Sequence, residues 1–250
     1  MNEASKAGLA MAVDTSGRFG SVALGMGDRI LVSRTFSGML RHSAELFAAI
    51  QALLAEIGHL PTDIQEVYLT AGPGSFTGLR IGITLAKMLH FANRTRIVAL
   101  STLDVLAENT RDFLRDEGGS CEQTAAILDA KRGQFFVAVY DWTGKNPKKI
   151  LPDCLMTAES FLQRYDGQQR PVYILGEGLV YYKDLFHAKG VRIMDSQFWY
   201  PHTHHLFRLG RNQAMLGNYT DPVLLVPNYL RGPDAIEKTQ RVWPQTDSAS

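Results

Sequence analysis

Residues 72 to 82, Gly72-Pro-Gly-Ser-Phe-Thr-Gly-Leu-Arg-Ile-Gly82, carry four glycines in eleven positions. An apolar run, Val67-Tyr-Leu-Thr-Ala71, precedes them, and an apolar-periodic segment follows to about Phe91. The glycines therefore fill a strand-to-helix turn, which in a parallel sheet lies at the edge where ligands bind. Amides at a helix start favour anions, and glycine lets a partner approach the backbone closely. A phosphate loop using Gly72, Gly74 and Ser75 is thus one reading. A second starts from Gly78, Gly82 and Ala86, whose spacing of four puts them on one helix face and leaves that face nearly flat. Helix axes normally stay about 8 to 10 Å apart, and a mid-helix glycine costs roughly 0.5 to 1 kcal/mol relative to alanine. Such a face either packs tightly on the protein's own core or admits a partner helix.

The rest of the chain reads as one order of elements used twice. Strands are expected at 9–14, 20–24 and 30–36, then a helix at 42–57, whose apolar residues recur at steps of three and four before Gly58. The strand at 67–71, the glycine turn, its helix, a strand at 96–100 and a helix at 102–116 complete the first half. The second half repeats the series. Strands at 124–129, 134–141 and 150–156 lead to a helix capped by Thr157, a strand at 171–175, a turn at Gly176-Glu-Gly178, a helix to about His187, a strand at 191–194 and a helix at 203–216. Asp14 and Asp129 each close a first strand, and each half places glycines after its fourth strand. The expected class is α/β with two tandem lobes, 1–118 and 119–234, and a polar tail, 235–250.

Two lobes side by side leave a cleft between strand ends, where a ligand is expected. Asp14, Thr15 and Ser16 would line it, opposite Asp129, Lys131 and Arg132; the competing readings are an ordinary turn and a charged hairpin tip. Net charge is +1, from 26 basic and 25 acidic residues, so nucleic-acid contact would need local patches. Lys145, Lys148 and Lys149 form a small one, read here as a solvated loop. Tyr181-Tyr182 and Phe198-Trp-Tyr200 could stack on bases, although core burial is the commoner fate of aromatics. His202, His204 and His205 resemble a metal cluster, but on a helix only His202 and His205, at spacing three, share a face, and no paired carboxylate or cysteine completes a site. Exposed or capping histidines are expected there, and no metal. No nucleophile triad, redox cysteine pair or Walker loop is visible, so no catalytic residue is assigned. Two cysteines, the lack of a leader-like start and the lack of a long apolar run point to the cytoplasm, away from any membrane.

Val13-Asp-Thr-Ser16 with Ser21-Val-Ala-Leu24, Arg41-His42-Ser43, the glycine motif, Ser101-Thr-Leu103, Asp129-Ala-Lys-Arg-Gly133 and Pro227-Asn-Tyr-Leu-Arg231 resemble the TsaB (YeaZ) family over most of the chain. The glycine motif is the specific part; Asp-Thr-Ser is shared across the actin-like ATPases. The resemblance implies two RNase H-like lobes of the actin/Hsp70/sugar-kinase (ASKHA) superfamily. It also implies a non-catalytic scaffold for the TsaD transferase, with the ATPase TsaE, in installing threonylcarbamoyl on the adenosine next to the anticodon of tRNAs reading ANN codons.

The histidine pair at helical spacing that marks TsaD is lacking, since His42 stands alone in its helix. The family's contact with TsaD maps onto 42–57 and 78–92, so the resemblance places an interface at Leu46, Ile50, Gly78, Arg80, Ile81, Gly82 and Ala86. The same surface would form a homodimer in the isolated chain, and tRNA would be reached through the complex. No cofactor is required by this role; ATP or ADP with Mg2+ is admitted at the complex, with Asp14, Thr15, Ser16, Gly72, Gly74 and Ser75 as phosphate candidates. The alternative is an ATPase or small-metabolite kinase working in the interlobe cleft. On the partner reading, Gly82→Leu would break the complex and leave the fold intact.

Overall fold

The computed structural model describes residues 8–37, 42–118 and 120–230. Arg41, Arg231, the first seven residues and the tail at 235–250 lie outside the described residues.

Among the described residues, ten strands form two five-stranded sheets of one topology. In the first, β1 (Leu9–Asp14) is central, antiparallel to β2 (Phe19–Met26) and parallel to β4 (Ile64–Thr70); β3 (Arg29–Ser37) and β5 (Arg96–Leu100) are the edges. In the second, β6 (Gln123–Asp129) is central, antiparallel to β7 (Gln134–Asp141) and parallel to β9 (Val172–Leu175), with β8 (Lys148–Thr157) and β10 (Val191–Ile193) outside. Asp14 and Asp129 end equivalent strands. This is the two-lobed actin-like arrangement that the resemblance implies.

The alternation of strand side chains decides which helices cover each face. Leu9, Met11 and Val13 point to one side of β1 and pack with α1 (His42–Glu56) and α2 (Phe76–Asn93). Ala10 and Ala12 point to the other side, where their small size lets α7 (Thr203–Met215) lie close through Leu206 and Phe207. Gly210 makes the approach tighter still, because a Cβ there would stand 2.3 Å from the Tyr68 ring. In the second sheet Ile127, Phe135 and Val137 pack with α5 (Ala158–Tyr165) and α6 (Leu179–Tyr182). Leu128, Phe136 and Tyr140 face α3 (Thr102–Ala107).

The chain thus crosses over twice. Helix α3, from the first half, serves the second sheet; α7, from the second half, serves the first; and α3 meets α7 between them. A line at residue 118 separates the strands but not these helices. The helix expected at 102–116 is broken into α3 and α4 (Asn109–Glu117), with buried Asn109 donating to the carbonyls of Phe198 and Tyr200 at 2.9 and 2.6 Å. The helix expected to reach His187 shrinks to the four residues of α6 and a 3-10 turn, Lys183–Phe186, which drops Phe186 into the core.

Candidate functional site

The interlobe end of β1 is knitted to the glycine turn at every step. Asp14 is buried, and its Oδ1 accepts from the Ser16 amide at 3.0 Å, the Ser16 hydroxyl at 2.6 Å and the Thr70 hydroxyl at 2.5 Å. Thr15 Oγ1 donates to the Gly78 carbonyl at 2.7 Å, and the Ser75 amide donates to the Ser16 carbonyl at 2.7 Å. Ser75 caps α2 by accepting from the Gly78 amide. Gly72 and Gly74 hold φ of +116° and +159°, which favours glycine. A Cβ at Gly74 would meet the Ser16 carbonyl oxygen at 2.5 Å, and one at Gly72 the Asn228 carbonyl oxygen at 2.8 Å. The phosphate candidates are therefore gathered in one place, but these polar groups bind one another.

The opposite lobe closes this end. Gly176 and Gly178 press on Ile127, where a Cβ at Gly176 would meet the Ile127 carbonyl oxygen at 2.1 Å. Between them Glu177 reaches across the gap and accepts from the Arg18 amide at 2.8 Å. Burial pushes its carboxyl up to about 7; the Arg18 amide pulls against that, and the charge of Asp14 pushes the same way. Arg18 also lies over the Tyr181 ring, and Phe19 meets Tyr200 edge to face with centroids 4.6 Å apart. The Glu177 carboxyl beside Asp14 takes up room a phosphate would need, and as it ionises through pH 7 it repels one as well. Asp129 and Lys131 bind each other at the hairpin tip at 2.6 Å, through a turn in which Lys131, Arg132 and Gly133 all have positive φ.

The small-residue face of α2 points inward. Gly78, Gly82 and Ala86 are buried, as are Leu46 and Ile50. A Cβ at Gly78 would stand 1.9 Å from the Thr15 carbonyl oxygen, and one at Gly82 would stand 2.8 Å from Thr15 Oγ1. The glycines are thus explained by Thr15, just past β1 of the same chain, and the placement of Leu46, Ile50, Gly78, Gly82 and Ala86 on a partner surface is corrected. The expectation that Gly82→Leu spares the fold falls with it. Arg80 is exposed yet engaged, stacked 3.7 Å from the Phe76 ring and donating to Tyr229 Oη at 3.1 Å; Ile81 is half-buried. Outward from the two helices stand Phe47, Met88 and Phe91, exposed by 45, 56 and 66%. Their signal lay in the helical period, one step off the buried face.

The other sequence candidates separate. Lys149 is paired with Asp104 and Asp153, each at 2.6 Å, so the lysine patch is partly neutralised. Tyr182 and Phe198 join the core beside Phe135 and Phe113. The three histidines are not merely exposed: Asp112, on α4, brings them together, and His205 is buried. That carboxylate is distant in sequence, which hid it. Among the described residues no helix is long and apolar enough to cross a membrane.

Comparison with known proteins places this geometry. A family profile described as TsaD, tRNA N6-adenosine threonylcarbamoyltransferase, matches residues 37–198. The tRNA threonylcarbamoyladenosine biosynthesis protein TsaB of Bacillus subtilis (strain 168) is 31% identical over 232 residues, covering 91% of this chain and 96% of that protein. Its namesake in Escherichia coli (strain K12) is 26% identical over 234 residues, with coverages of 91 and 96%. A crystal structure described as an uncharacterized protein with similarity to peptidase YEAZ from Pseudomonas aeruginosa superposes with a TM-score of 0.76 at 25% identity, covering 90% of this chain and 100% of that one. YeaZ from Pseudomonas aeruginosa superposes at 0.73 and 23% identity, with coverages of 89 and 99%.

Proposed function

The chain belongs to the TsaB (YeaZ) family, and on that premise we propose that it takes part in tRNA threonylcarbamoyladenosine biosynthesis as a non-catalytic partner of the TsaD transferase. The observation that carries the non-catalytic reading is the state of the cleft. Asp14, Thr15, Ser16 and Ser75 are committed to each other and to the Gly78 backbone, and Glu177 occupies the space in front of Gly17, where a Cβ would lie 2.0 Å from its Oε1. A nucleotide phosphate would have to displace an internal carboxylate.

The contact with TsaD is carried by the outward face of α1 and α2. Phe47, Met88 and Phe91 expose large apolar surface beside the half-buried Ile81, and aromatic and methionine side chains of this kind anchor protein interfaces. The same face would pair two copies when TsaD is absent. In the complex, with TsaE, the target is the adenosine next to the anticodon of tRNAs reading ANN codons, in the cytoplasm, and any ATP or ADP with Mg2+ sits at the joint between proteins. Reconstitution of the tRNA modification with TsaD, TsaE and the threonylcarbamoyl-adenylate synthase tests the reading. Activity is expected only when this chain is added. Full activity without it, or tight ATP binding with turnover by the isolated chain, would overturn the scaffold role.

A further inference from the structure

We propose that Asp112, His202, His204 and His205 form a zinc-type divalent-cation site that clips α4 to the start of α7. Three imidazole nitrogens converge on a single carboxylate oxygen. His202 Nδ1, His204 Nε2 and His205 Nε2 lie 3.2, 3.2 and 2.9 Å from Asp112 Oδ2, and the four ligand atoms all lie within 4.8 Å of one another. A tetrahedral zinc ion with ligands about 2.0 to 2.1 Å away has ligand–ligand edges of about 3.3 Å, close to the three distances to Asp112.

As a plain hydrogen-bond network the cluster is overcrowded. One carboxylate oxygen offers about two lone pairs, and here three ring nitrogens address it. A cation replaces that crowding with one bond from each group. Helical neighbours do not normally face one way, but these side chains spring from the N-cap and first turn of α7 and reach past the end of the helix to an atom of α4.

The surroundings suit metal ligation. His202 Nε2 lies 3.2 Å from the Gln197 carbonyl, the outer hydrogen bond that orients a ligating imidazole. Arg115 binds Asp112 Oδ1 at 3.1 Å, which leaves Oδ2 to the cluster; its guanidinium is largely exposed, so water screens its charge from the ion. The site has a floor and a door: the side chains of Asp112 and His205 are 7 and 4% exposed, whereas those of His202 and His204 are 32 and 52% exposed. Because α4 packs with the second lobe and α7 with the first, a bound ion would fasten the two lobes where the chain crosses between them.

The test uses the untagged full chain, stripped with a chelator and titrated with zinc chloride, with cobalt chloride as a spectroscopic probe. One equivalent of zinc is expected to bind and raise the Tm by several degrees, and cobalt is expected to give the intense visible bands of a four-coordinate site. His204→Ala removes an exposed ligand with little risk to folding and should weaken zinc binding at least tenfold; Asp112→Asn should do the same. His59→Ala, remote from the cluster, should change nothing. Failure of the wild-type chain to bind one equivalent, a six-coordinate cobalt spectrum, or affinity unchanged in His204→Ala would overturn the site.

Discussion

The two lobes answer the same local problem and then diverge. After β4 the first lobe turns through Gly72, Gly74 and Gly78; after β9 the second turns through Gly176 and Gly178. In both, glycines stand where the backbone passes against the central strand or its end: Gly74 and Gly78 against Ser16 and Thr15 in one, Gly176 and Gly178 against Ile127 in the other, while Gly72 makes room for the Asn228 carbonyl. The helices beyond the two turns differ. The first turn opens an 18-residue helix with an exposed apolar outer face, while the second opens one of four residues and sends Glu177 back across the gap. A glycine turn in this fold therefore reports close packing inside its own lobe. Function has to be sought in what the turn presents, an exposed apolar face on one side and a cleft-filling carboxyl on the other.

If packing sets the glycines, alanine at Gly78 should be ruinous despite its better helix propensity. Propensity favours alanine by about 1 kcal/mol, but the new Cβ would stand 1.9 Å from the Thr15 carbonyl oxygen, and a clash that moves backbone costs about 3 kcal/mol, the upper end of overpacking. Gly176→Ala should match it, with a 2.1 Å approach and a φ of +128° added. Gly82→Ala meets a side-chain hydroxyl at 2.8 Å and should stay within about 1 kcal/mol of wild type. Urea melts give the three values, and a mild Gly78→Ala would break the packing account.

Glu177 gives the comparison a pH signature. Its carboxyl titrates near 7 when folded, against an ordinary value of 4.5, so the folded chain holds a proton that the unfolded chain has already released. Stability from this group is complete below pH 4.5 and is lost as pH rises through 7. Glu177→Gln should therefore raise stability at pH 8 by up to about 3 kcal/mol and leave it unchanged near pH 4. Thermal melts across that range check it, and a pH-independent difference would mean that folding leaves the Glu177 carboxyl at its ordinary value.

The lobe architecture was legible because it rests on local periodicity. Short apolar runs closed by an aspartate mark β1 and β6, steps of three and four mark α1, and Thr157 begins α5 as its cap. The site was less legible because its meaning depends on which face turns inward. Gly78, Gly82 and Ala86 identify a flat face, but nothing local tells a partner's backbone from the chain's own Thr15, 63 residues earlier. Asp112 was missed for the same reason, lying 90 residues from His202. Shortening of α6 was hidden because Leu179 and Phe186 fit a helical spacing that the 3-10 turn abandons.

Docking should separate the lobes next. Phe91→Asp places a charge on the outer face of α2, at a residue 66% exposed, so folding should be unaffected. Binding to TsaD should fall at least tenfold, about 1.4 kcal/mol, as expected for an interface anchor. Leu185→Asp, at a residue 50% exposed on the second lobe, is the matched control and should leave affinity unchanged. Calorimetric titration against TsaD gives both numbers; equal losses would mean that the contact is not confined to α1 and α2.

The smallest expected effect asks whether the first-lobe turn is special even as a helix start. Ser75 caps α2 by accepting from the Gly78 amide at 3.2 Å, and Thr157 caps α5 by accepting from the Ser160 amide at 3.1 Å. Either cap lost to alanine should cost about 1 kcal/mol. The Ser75 amide bond to Ser16 is a backbone contact, so it survives Ser75→Ala, and the Ser75 hydroxyl has no role beyond capping on the packing account. Equal costs in urea melts are therefore expected for Ser75→Ala and Thr157→Ala. A markedly larger loss at Ser75 would mean that its hydroxyl contributes more to the turn than a helix cap does, and the equivalence of the two lobes would end at the N-cap of α2.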